Sequence, residues 1–79
     1  MTNIEKYNLI FTEVFAVKES ELGAEFDSQH VDGWDSVRQL SLTAAMEDTF
    51  DIMLDVEDII EFNSYEKGKS ILAKYEIAF

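Results

Sequence analysis

Residues 33–42 read Gly33-Trp34-Asp35-Ser36-Val37-Arg38-Gln39-Leu40-Ser41-Leu42, and this stretch organises the rest of the chain. Gly33 permits a sharp turn, Asp35 suits a helix N-cap, and apolar residues then recur at helical spacing as far as Phe50. The stretch therefore predicts a loop that becomes a helix at Asp35 or Ser36. Ser36 then stands exposed at the helix start, beside unpaired backbone N–H groups and the positive end of the helix dipole, where a phosphate ester is well tolerated. An Asp-Ser pair is also an ordinary capping pair, and the dipeptide alone does not separate the two readings.

Outward from this stretch, Leu42, Ala45, Met46 and Phe50 fall on one face of the predicted helix, which is the core assignment. Val37, Leu40 or Ser41, Ala44 and Asp48 form a second face, apolar near Ser36 and acidic at Glu47 and Asp48. Those two acids sit in the last turn, where the dipole disfavours negative charge by about 0.3–1 kcal/mol each. Upstream, Thr2 and Glu5 make a capping box. Ile4, Tyr7, Ile10, Phe11, Val14 and Phe15 follow at helical spacing, predicting a first helix that ends near Val17. From Lys18 to Trp34 no period holds, so a long loop is expected, pinned by Leu22, Phe26, Val31 and Trp34.

Downstream, Asp55 can cap a short third helix through Glu61 or Phe62, with Val56, Ile59 and Phe62 inward. Asn63 or Ser64 caps a fourth, with Tyr65, Ile71, Leu72 and Tyr75 inward and Gly68 marking close approach of another backbone. Glu76–Phe79 reads as a frayed end. The expected fold is all-α, a small bundle of three main helices plus one short one in a single domain over residues 1–79.

With 79 residues, one small core is all the chain can build, which leaves little for a deep catalytic pocket. Seventeen acids against six bases give a net charge of −11, which argues against nucleic acid and anionic membranes as partners. Between Arg38 and Lys67 there are eight acids and no base, a solvated face or a docking surface for basic proteins. There is no cysteine, so disulfides and thiolate metal sites are excluded and a reducing cytoplasm suits the chain. Met1–Lys6 has no basic n-region, and no signal peptide or membrane span is read. Asp27, His30 and Asp32 fail the calcium-loop pattern, since counting Gly33 as its sixth position puts Gln39 at the twelfth. No metal site is expected. Ser36 lacks a Gly-x-Ser-x-Gly elbow, so a hydrolase using His30 is disfavoured.

Asp35-Ser36-Val37, then Leu40 and Leu42, Met46-Glu47-Asp48 and Phe50-Asp51-Ile52 resemble the acyl carrier protein family, whose Asp-Ser-Leu motif bears a 4′-phosphopantetheine arm. Length, acidity, the central serine and the ending from Phe62 to Tyr75 extend the resemblance over nearly the whole chain. Val37 replaces the usual leucine, Arg38 and Ser41 stand where many fatty-acid carriers are acidic, and Trp34 resembles free-standing carriers of specialised pathways.

The resemblance implies that Ser36 receives the arm from coenzyme A by a phosphopantetheinyl transferase using Mg²⁺, with Asp35 aiding transferase docking. Val37, Arg38, Leu40, Ser41, Ala44, Glu47 and Asp48 would meet the partners: the transferase, an acyl-loading ligase or acyltransferase, and biosynthetic enzymes with basic docking surfaces. The chain would act as a monomer, carry acyl groups as thioesters and catalyse nothing itself. A medium-length apolar cargo would tuck into a seam at Phe50, Ile59, Phe62 and Ile71. An aminoacyl, D-alanyl or peptidyl carrier would use the same Ser36 chemistry, and an unmodified acidic interaction domain would share the composition.

Overall fold

The computed structural model describes residues 1–79. Helix α1 spans Asn3–Phe15, α2 Ser36–Phe50, α3 Val56–Glu61 and α4 Tyr65–Ala73, with a 3₁₀ turn at Glu19–Glu21 inside the long α1–α2 loop. The bundle has the expected helices and the expected loop. No helix is long and apolar enough to cross a membrane.

Capping chemistry sets the ends. Thr2 and Glu5 form the reciprocal box at the start of α1. That helix stops at Phe15, two residues before the expected end, because Ala16 turns left-handed at φ 55° and its N–H closes onto the Thr12 carbonyl. Asp35 caps α2, its Oδ1 accepting from Arg38 N at 2.9 Å. Asp51, left-handed at φ 54°, ends that helix. Ser64, rather than Asn63, caps α4.

The core is largely aromatic. Phe11 is fully buried, with six other rings, those of Tyr7, Phe15, Phe26, Trp34, Phe62 and Tyr65, having centroids 4.9–6.3 Å from its own. Such pairs add about 0.5–1.5 kcal/mol each beyond the area they bury. Phe26 and Trp34 are the long loop's contributions, and Leu22 and Val31 pack partly buried against the core. The loop is also tied across the molecule by backbone. Ser28 N donates to Asn63 O at 2.9 Å and Tyr65 N to Phe26 O at 2.8 Å, a short antiparallel bridge between the α1–α2 and α3–α4 loops.

One inward assignment changes. Val56 is 71% exposed, and the buried residue on α3 is Asp58. A six-residue helix is too short to have a stable hydrophobic stripe of its own, and the bundle turns α3 so that the Asp58 carboxylate meets the residues that directly follow α4. Asp58 accepts from Lys74 Nζ at 2.6 Å and from the Tyr75 hydroxyl at 2.5 Å, and both partners hold its carboxyl below the usual range. Gly68 does mark a close approach, but of side chains. A Cβ there would lie 2.2 Å from the Tyr7 hydroxyl and 2.5 Å from the Phe62 ring. Gly33 has no positive φ, and its missing side chain instead leaves room for Arg38, whose Nη1 a Cβ would meet at 3.3 Å. The C-terminal residues are docked, not frayed: Asn3 Nδ2 donates to Ala78 O, and the Phe79 ring lies edge-on to Tyr7 at 5.0 Å.

Candidate functional site

Ser36 is the first residue of α2 and is exposed. Asp35 occupies the third amide of the helix, and Gln39 N bonds the Asp35 carbonyl at 2.9 Å. The N–H groups of Ser36 and Val37 keep no partner within the protein. Two free donors and the dipole's positive end thus lie beside the Ser36 hydroxyl, a donor set that suits the phosphate of a phosphodiester.

Gln39, one turn on, fixes the site against the rest of the bundle. Its Oε1 accepts from the Trp34 indole N–H at 2.5 Å, and its Nε2 donates to the carbonyls of Ile59 and Phe62, both at 2.6 Å. One side chain therefore joins the end of the long loop, the start of α2 and the end of α3. Hydropathy reading passed over it, as it did Thr43, which is 2% exposed and returns its hydroxyl to the carbonyls of Gln39 and Leu40. A signal was present: a glutamine five residues from a tryptophan at a helix start can satisfy the indole N–H that burial would otherwise strand.

The second face of α2 divides. Val37 and Leu40 are 72% and 63% exposed, and Ser41, Ala44 and Asp48 are exposed with them. Asp48 takes part in no ion pair. Arg38 and Glu47, expected on the same strip, are turned into the structure. Arg38 donates from Nε to Val14 O and from Nη1 to Gly33 O, both at 3.1 Å. Glu47 Oε2 accepts from Leu54 N at 2.9 Å and pins the α2–α3 loop. On α3, Val56 and Ile60 are also largely exposed.

The expected cargo seam is closed. Phe62 and Ile71 are buried and Phe50 and Ile59 partly so, and the only groove reaching any of them is a surface one where Ile71 meets Glu61, Lys67, Ser70 and Lys74. His30 is engaged by Asp27. Its Nδ1 is 2.8 Å from Asp27 Oδ1, and that carboxylate raises the imidazole pKa above its usual value. The same oxygen accepts from the backbone N–H groups of Gln29 and His30, an Asx turn that explains both residues.

No protein-family model matches the chain, and no curated protein matches it. The fold is a small all-α bundle compatible with a generic helical carrier domain.

Proposed function

We propose that the chain is an acyl carrier protein with Ser36 as its attachment point. The observation that carries this reading is the setting of that hydroxyl: exposed, at the first residue of the longest helix, beside free N–H donors, with an apolar and acidic face running away from it. In loading, the Ser36 oxygen loses its proton and takes over the phosphopantetheine phosphoryl group from coenzyme A, whose adenosine bisphosphate portion leaves. When bound, the arm supplies a thiol that holds an acyl group as a thioester and raises its effective concentration at a partner's active site. Asp35 holds the helix start rigid for the transferase and adds a charge beside the hydroxyl. Val37, Leu40, Ser41, Ala44 and Asp48 face outward for the enzymes that load and use the cargo, which are expected to present basic residues.

Incubation with coenzyme A, Mg²⁺ and a broad-specificity phosphopantetheinyl transferase tests this. Intact mass should rise by a single phosphopantetheine, and Ser36→Ala should abolish the rise. A wild-type protein left unmodified by several transferases would overturn the reading.

A further inference from the structure

Beside Ser36, a shallow groove is lined by Trp34, Gln39, Ile60, Ser28 and Asn63. The last two also line a second, wholly polar groove with Gln29, Ser64 and Lys67, so the two form one track from the helix start across the joint between the loops. Its walls are fixed, because the backbone bridge from Ser28 N to Asn63 O and from Tyr65 N to Phe26 O binds one loop to the other. Part of its lining is already engaged, Gln39 with the Trp34 indole and the carbonyls of Ile59 and Phe62, and Ser64 as the cap of α4, and the rest is unspent. The Ser28 hydroxyl, the Gln29 and Asn63 carboxamides and the Lys67 ammonium make no side-chain hydrogen bond within the protein, although Lys69 and Lys74 are both ion-paired. Ile60, 69% exposed, is the apolar side chain at the Ser36 end.

We infer that this track is the resting place of the arm carried on Ser36. The inference rests on the carrier reading and adds to it where the arm lies between partners. A pantetheine arm presents, in order from its phosphate, a pair of methyl groups with a hydroxyl, then two amides, then the thiol. That order matches the track: apolar contact at Ile60 first, then donors and acceptors at Ser28, Asn63, Gln29 and Lys67. Hydrogen bonds to such exposed groups are individually weak because water competes for them, so the arm is held loosely and is released when a partner engages it. The opposite side of Ser36, with Val37, Leu40 and Ala44, is mainly apolar, and the exposed Ser41 hydroxyl is its one neutral polar group, with no carboxamide or lysine to receive the amides.

The test compares ¹⁵N and ¹³C spectra of the apo-protein and of the protein loaded from coenzyme A, with loading verified by intact mass. Loading should shift the side-chain carboxamides of Gln29 and Asn63 and the amides of Ser28 and Ser64. It should also give nuclear Overhauser contacts from the arm's methyl groups to Ile60. In the doubly substituted Ser28→Ala, Asn63→Ala protein, loading should remain complete and the melting temperature unchanged, while the loading shifts at Gln29 and Lys67 vanish. Complete loading with shifts confined to residues 35–38, or running along Val37, Leu40 and Ala44, would overturn the track and leave the carrier reading intact. No loading at all would overturn the carrier reading, and the track with it.

Discussion

The hydroxyl of Tyr75 donates to Asp58 Oδ2 at 2.5 Å while accepting from Asp55 N at 3.1 Å, so a residue beyond α4 holds both the cap and the middle of α3. This helix needs such help: six residues are marginal alone, and the Asp55 side chain makes no capping bond. The Asp58 carboxylate gains partners on folding and its pKa is lowered. The sign follows. Its contribution to stability is present above the ordinary carboxylate pKa and is lost as pH falls through the lower folded value. The pKa values of Lys74 and Tyr75 are raised, so their share is present at neutral pH and lost only as pH rises through those raised values. Asp58→Asn and Tyr75→Phe should therefore both melt below wild type at neutral pH and speed hydrogen exchange across α3. The gap between wild type and Asp58→Asn should narrow as pH drops below the carboxylate range. A gap that stays constant through that range would show that the charge of Asp58 is not what secures the helix.

An apolar cargo would have to part the same contacts, since the seam at Phe50, Ile59, Phe62 and Ile71 is shut. That connects the latch to the proposed function: loosening Tyr75 should favour entry of a chain, whose burial is worth about 0.8 kcal/mol per CH₂ before the cost of opening.

Gly68 tests the packing of α4. Alanine normally favours a helix by about 1 kcal/mol over glycine, but here its Cβ would strike the Tyr7 hydroxyl and the Phe62 ring. The Tyr7 hydroxyl is itself committed to the Tyr65 carbonyl at 2.6 Å. Gly68→Ala should thus cost about 1–3 kcal/mol by overpacking. Each kcal/mol lowers the melting temperature of a domain this size by about 4–8 °C. A melting temperature equal to or above wild type would mean that these rings yield freely.

Seventeen acids share three ion pairs among them, one of which involves His30. Self-repulsion between the remaining exposed carboxylates should be relieved by screening. Added salt or Mg²⁺ should raise the melting temperature near pH 7, and an indifferent melting temperature would show that the acids are already compensated.

The starts of α1 and α2 and the position of Ser36 were legible because caps and helical period are local: Thr2 with Glu5 and Asp35 with Arg38 lie within a single turn, whereas the left-handed Ala16 that ends α1 early had no such signal. What escaped is polar or comes from distant parts of the chain. Gln39, Thr43 and Asp58 go inward because partners elsewhere satisfy them, which a hydropathy pattern cannot register. Val56 was misplaced because a helix of six residues takes its orientation from neighbours. The track beside Ser36 was invisible for the same reason, since Ser28 and Asn63 meet only through pairing of two loops.

The outward strip of α2 carries the last prediction. Asp48 is exposed, unpaired and close to the negative end of its helix dipole, so Asp48→Lys should leave folding unchanged or improve it by about 0.3–1 kcal/mol. Glu47, its neighbour, behaves differently because its carboxylate receives the N–H of Leu54. Glu47→Ala leaves that part-buried donor unmet, at a cost of about 1–3 kcal/mol. Met46, fully buried, should cost about 2–5 kcal/mol on replacement by alanine. Three consecutive residues thus have separate expected signatures in thermal melts. On partner kinetics the order should reverse. Asp48→Lys, and Leu40→Ser at the apolar end, should slow association with the transferase or the acyl-loading enzyme, the former most at low salt, while melting stays near wild type. If Asp48→Lys destabilises the fold as Met46→Ala does, or if neither outward substitution changes association, this helix has no separate docking face.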